Sequence, residues 1–255
     1  MIRKLLICGL LAGVIGGAFA TGFAWIAGEP AVDQAIAFEA AQEEATGETP
    51  APDLVARDIQ STFGLLTAMT VFGLSIGGLF ALVFTLVYGR VGNASPEKTA
   101  LLLAFAAFFV VFLVPFLKYP SNPPATGNPD TIGDRTFVYV TMIVFSIGVA
   151  ASAVWLGRSL RERMSTGTAT VVAGAFYVVA MLAIGLIMPG LHEVPSTFPA
   201  TTLSRFREST VGIQAVLWTT IGLVFAATAG RVTRGESMLG RPYRNRRLDP
   251  ATALE

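Results

Sequence analysis

The chain has 255 residues, of which 53% are hydrophobic and only 14% charged, with a net charge of +1. Soluble domains average roughly 25% charged residues, and here the charges are bunched between long uncharged runs, which excludes an ordinary soluble globule and marks a membrane chain. A single cysteine, Cys8, excludes an intrachain disulfide; the one arginine-rich stretch, Arg241 to Arg247, lacks base-stacking aromatics, so nucleic acid is not an expected partner.

Six apolar runs follow in chain order, at about 5–27, 63–88, 100–117, 137–156, 170–188 and 211–229. Each is close to the ~20 residues that cross a ~30 Å hydrocarbon layer as a helix. None contains Lys, Arg, Asp, Glu or His. The fold class expected is therefore all-α: a polytopic bundle of six transmembrane helices in one domain over 1–230, followed by a basic tail over 231–255.

The first run starts behind Arg3 and Lys4 and ends near Trp25 and Ala27. Its basic start and the Ala18-Phe19-Ala20 triplet also fit a cleaved signal peptide, but the apolar stretch is long for one, so a retained helix is expected. Glycines recur in it as Gly9, Gly13, Gly16 and Gly17, then Phe19-Ala20. The second run echoes this with Gly73, Gly77 and Gly78, then Phe80-Ala81. Such small-xxx-small spacing lets helix backbones approach closely, and a tight pair of these two helices is expected. Between them lies an acidic, alanine-rich stretch, 33–53, expected as a solvated loop with at most a short helix over 35–45.

The third run leads into Pro115-Phe-Leu-Lys118-Tyr119-Pro120-Ser-Asn122-Pro123-Pro124. The fifth leads into Pro189-Gly-Leu-His192-Glu193-Val-Pro195-Ser-Thr-Phe-Pro199. Both loops place Pro-x-Leu before polar residues and further prolines, and both run on to an arginine (Arg135; Arg205 and Arg207). The prolines favour ordered, non-helical caps, and the echo suggests two parallel helical hairpins. The hydroxyls inside the runs and Gln214 are expected to bond between helices.

Orientation follows from the basic residues. Thirteen Lys and Arg fall on the side of the two termini and five on the other, while twelve of the seventeen carboxylates fall opposite the termini. Both termini are therefore cytoplasmic. The outer side collects Glu29, Asp33, Asp58, Asp130, Asp134, His192 and Glu193. Acidic loops concentrate cations, and imidazole with carboxylate suits divalent first-row metals. Glu29, His192 and Glu193 are thus the candidate metal ligands. Neither a catalytic pairing nor a phosphate loop is present: Gly235-x4-Gly240-Arg241 lacks the Lys-Ser/Thr pair. A non-enzyme is expected.

Through Leu117-Lys118-Tyr119-Pro120-x-Asn122-Pro123-Pro124, Phe198-Pro199-Ala200, Phe206-Arg207 and Ser209, together with the glycine-rich first run, the chain resembles the CbtA family of predicted cobalt transporter subunits over nearly its whole length. The resemblance implies cobalt as transported substrate with no bound cofactor, uptake across the bacterial inner membrane linked to cobalamin supply, and a small histidine-rich one-span partner, CbtB. The loop residues Lys118, Tyr119, Pro120, Asn122, Pro123, Pro124, Arg135, Pro199 and Arg207 are expected to hold the loops in shape. The alternative is a membrane scaffold that assembles its partner and transports nothing.

Overall fold

The computed structural model describes residues 1–47, 55–124, 126, 129–191 and 193–235. The expected tail over 231–255 therefore lies mostly outside the described residues. Among those described, all regular structure is helical. Six helices are long and apolar enough to cross a membrane: α1, Ile2–Thr46; α2, Arg57–Val87; α3, Pro96–Lys118; α4, Ile132–Leu160; α5, Thr166–Ile187; and α6, Ala200–Thr233. The chain is a multi-pass membrane bundle, and six crossings return both ends to the same side.

Helix ends follow local chemistry. Ser95 caps α3, its hydroxyl accepting from the Lys98 amide at 3.3 Å, with Pro96 preset for the first turn. Ser165 caps α5 in the same way. Gly47 ends α1 at φ 71°, a left-handed conformation that costs glycine little.

Two prolines sit inside helices, each just after a widened π turn. Ala24–Gly28 precedes Pro30 in α1, and Phe108–Leu113 precedes Pro115 in α3. A proline cannot donate to the helix ladder and crowds the preceding turn, and the π turn absorbs that fault. In the π register of α3, the carbonyl left without a donor by Pro115 is that of Val110, five residues back. Ser146 of α4 donates to this oxygen at 2.6 Å, and the Ser146 hydroxyl lies 2.7 Å from that of Tyr177 on α5. One buried serine thus joins α3, α4 and α5 at membrane depth. Other hydroxyls behave differently from expectation: Ser75 and Ser152 turn back to the carbonyl four residues earlier in their own helix.

The glycines of α1 and α2 form a seam. A Cβ on Gly9 would collide with the Gly77 carbonyl oxygen, one on Gly13 with that of Gly73, and one on Gly17 with that of Met69. The two backbones touch directly, which any larger residue at these positions forbids. On its other side α1 meets α6, where Leu217 and Ile221 fill the space against Gly16. The main core is built from α1, α2, α3 and α6, with Phe84 and Phe225 edge-on at 4.9 Å. The first span carries α2 on one side and α6 on the other, and α3 packs in turn on α6.

Helices α4 and α5 form a smaller core, with Val138, Met142 and Met181 around Tyr119 at the end of α3. Two expectations need correction. The echoing loops do not mark equivalent hairpins, because α5 packs along α4 whereas α3 packs along α6. The acidic stretch after Gly28 is not a loop through its first half, since helix continues to Thr46. Ala31 and Ala35 are buried, Phe38 meets Phe198 edge-on at 5.0 Å, and Thr202 donates to Gln34 at 3.0 Å. That spacing puts an apolar stripe on one face of α1, laid against the start of α6.

The seam makes a sharp prediction. Gly13→Ala should cost about 1–3 kcal/mol by overpacking, whereas Gly174→Ala, with open space around it, should stay within about 0.5 kcal/mol of the parent. Denaturant unfolding in mixed micelles checks both.

Candidate functional site

The two proline-rich loops meet on the outer side of the bundle. Tyr119, at the end of α3, is buried and donates its hydroxyl to the Pro189 carbonyl at 2.8 Å, joining the first loop to the second. Burial also pushes its phenol above the ordinary tyrosine value, so the group remains a donor. Lys118 lies 5.7 Å from the centre of the same ring, within cation–π range.

Arg207 of α6 holds the first loop from the other side. Its Nε donates to the Ser121 carbonyl at 3.3 Å and its Nη2 to Asn122 Oδ1 at 3.0 Å. Ser121 Oγ donates to Thr210 Oγ1 of α6 at 3.1 Å. Within the loop, the buried Thr126 hydroxyl bonds the Pro123 carbonyl at 2.7 Å. Prolines 120, 123 and 124 supply no amide donors, so the loop's carbonyls are taken by side chains rather than by a backbone ladder.

Under these loops lies a cavity of about 790 Å³, between the outer ends of α3, α4 and α6. That volume is within the range of small-molecule sites, roughly 300–1,000 Å³. Phe112, Phe116 and Tyr139 form apolar wall, and Gln214 of α6 is its deepest polar group along that helix. Among the described residues three cationic side chains line it, Lys118, Arg135 and Arg207, against one carboxylate, Glu193.

Glu193 is itself engaged. Its side chain is 11% exposed; Thr131 donates to Oε1 at 2.6 Å, and Arg135 Nη1 lies 3.0 Å from Oε2 as an ion pair. Glu29 stands elsewhere: its carboxylate is held by Arg57 of α2, which also pairs with Asp33 at 3.0 Å. Trp25 donates to the Ser61 carbonyl at 2.7 Å beside it, so this group clasps α1 to α2.

Of the expected metal ligands, Glu193 therefore lines the cavity, Glu29 does not, and His192 lies outside the described residues. Among those described, no three His, Cys, Asp or Glu side chains come together as a metal-binding group. The outer carboxylates that sequence marks as a cation collector are in good part neutralised by Arg57 and Arg135. Of the loop residues, Lys118, Tyr119, Pro120, Asn122, Arg135 and Arg207 all line the cavity. Pro199 immediately precedes α6. Sequence reasoning favoured helix packing for Gln214, which lines the cavity, and missed Ser121 and Thr131 as supports of the first loop and of Glu193. The signal for Gln214 was an amide one and two turns beyond Thr210 and Arg207, on the face α6 turns to the loop.

A model of the CbtA family, described as probable cobalt transporter subunit, matches residues 2–230. The chain belongs to this family, and its function is in cobalt transport as a subunit, which entails a partner. No curated protein and no solved structure matches the chain.

Removing the loop supports should show in stability. Tyr119→Phe should cost about 0.5–1.5 kcal/mol for one neutral hydrogen bond, and Arg207→Gln about 1.5–3 kcal/mol for charge-assisted ones. Thermal unfolding of the purified variants, with proteolysis of the 119–124 loop as a local readout, checks the order.

Proposed function

We propose that this chain is the membrane-embedded, pathway-forming subunit of a cobalt uptake system in the bacterial inner membrane. It works without an ATPase of its own, serves cobalamin supply, and acts with a small histidine-rich one-span partner of the CbtB type. The observation that carries this reading is the outer cavity. It lies beneath the two proline-rich loops and is lined along α6 from Leu203 to Gln214. A pathway-forming subunit needs such a vestibule, whereas a scaffold has no use for one.

The six apolar runs hold no Lys, Arg, Asp, Glu or His, so no carboxylate at bilayer depth is available to couple metal to protons in the usual way. The reading therefore assigns energy coupling, and part of the metal ligation, to the partner. Within this chain the metal contact is assigned to Glu193, which lines the cavity, together with its neighbour His192. A hard carboxylate and an imidazole are suitable ligands for divalent cobalt. Capture requires that Glu193 exchange its contacts with Arg135 and Thr131 for the metal. Glu29, fixed by Arg57, is assigned a structural role at the α1–α2 junction.

Cobalt accumulation in cells carrying the chain and its partner tests this. Glu193→Gln and His192→Ala should each lower accumulation by about tenfold or more, the range expected on losing a metal ligand or its support. Glu29→Gln should have the smaller effect once corrected for protein level. Unchanged accumulation in the Glu193 and His192 variants would remove the proposed contact. No accumulation from the parent chain with its partner would favour the scaffold.

A further inference from the structure

The charge of the cavity runs against a free divalent ion. Among the described residues Lys118, Arg135 and Arg207 line it with Glu193 as the one carboxylate, and that carboxylate already has Arg135 and Thr131 as partners. An aquated cobalt ion entering the recess meets a net positive wall, in a concave site where low-dielectric walls weaken solvent screening. The hydrogen-bonding capacity of the same wall is rich in donors. Arg207 occupies one lone pair of the Asn122 oxygen and the amide keeps two N–H donors, while ammonium and guanidinium groups donate only. A donor-rich, positive recess of about 790 Å³ fits an acceptor-rich anion far larger than a single ion.

We infer that the cavity receives the metal as an anionic chelate with a small polycarboxylate, not as the free divalent cation. This rests on the transport reading above and names the form of its substrate. The ligand's carboxylates engage Lys118 and compete with Glu193 for Arg135. In the same step Glu193 is released from its ion pair and becomes available to the metal. Positive charge thereby draws the chelate in, and the exchange of carboxylates on Arg135 begins its unloading. All metal–oxygen bonds in this sequence form and break by ligand exchange, with no change of oxidation state.

Equilibrium binding to the purified full chain in lipid nanodiscs tests the inference, with citrate, cobalt(II)–citrate and free cobalt(II) as probes. The expected result is that both citrate forms bind and that free cobalt(II) binds more weakly than its chelate. Lys118→Gln removes one wall charge and should weaken chelate binding about tenfold, as for loss of a charge-assisted contact, with Lys118→Arg restoring it. Thermal unfolding controls for folding of both variants. Tighter binding of free cobalt(II) than of the chelate, no binding of either citrate form, or a Lys118→Gln variant that binds like the parent overturns the inference. Cobalt uptake by cells containing the chain and its partner separates the two readings. Uptake without chelate binding discards the chelate and keeps transport; chelate binding without uptake discards transport and supports the anion site.

Discussion

The architecture depends on the direct backbone contact of α1 with α2. Gly9, Gly13 and Gly17 lie against Gly73, Gly77 and the Met69–Thr70 backbone with no room for a side chain. In a lipid environment apolar side chains gain little by leaving the tails, so helix association relies on close van der Waals packing, and glycine seams supply it. From this seam the dependence runs outward. Helix α6 seats Leu217 and Ile221 against Gly16, and the position of α6 sets Arg207, which holds Ser121 and Asn122. Tyr119 then reaches Pro189, which closes the roof over the cavity.

A second constraint comes from keeping charge out of the hydrocarbon. With no Lys, Arg, Asp, Glu or His in the apolar runs, the charged side chains are placed at the membrane faces. The cytoplasmic side has a loose pairing, Arg234 with Glu97 at 2.6 Å, both well exposed, which is worth little. The outer side instead shelters two of its paired carboxylates, Glu29 at 18% exposed and Glu193 at 11%, while Asp33, which shares Arg57, is 64% exposed. Its arginines do more than balance carboxylates. They position loops whose prolines cannot build a backbone ladder, and they set the sign of the cavity that those loops cover.

Much of this was legible in the sequence. The six spans were, because runs of about 20 uncharged residues have few other uses. The pairing of α1 with α2 was, because the spacings Gly9–Gly13 and Gly73–Gly77 match. The extension of α1 to Thr46 was obscured by six acidic residues over 33–53; the competing signal was Ala31, Ala35 and Phe38 at helical spacing, an interaction face that gains its value only against Phe198 and Thr202. The sign of the cavity was not legible. Counting carboxylates on the outer side suggests a cation collector, but which charge meets which is set by tertiary contacts: Arg57 pairs with Glu29 and Asp33, and Arg135 with Glu193. Nor does linear spacing reveal that α3 packs along α6 while α5 packs along α4.

The central claim is a positively charged vestibule beneath the outer loops that reaches Gln214 and is entered from the outer side. Thiol labelling from the outer side measures it most directly, using Thr136→Cys and Gln214→Cys in a Cys8→Ala background with membrane-impermeant methanethiosulfonate reagents of opposite charge. Both cysteines are expected to react, and the anionic reagent is expected to react faster than the cationic one relative to their rates with a free thiol, the difference shrinking in Lys118→Gln. An unreactive cysteine at both positions, or a preference for the cationic reagent, would contradict the account.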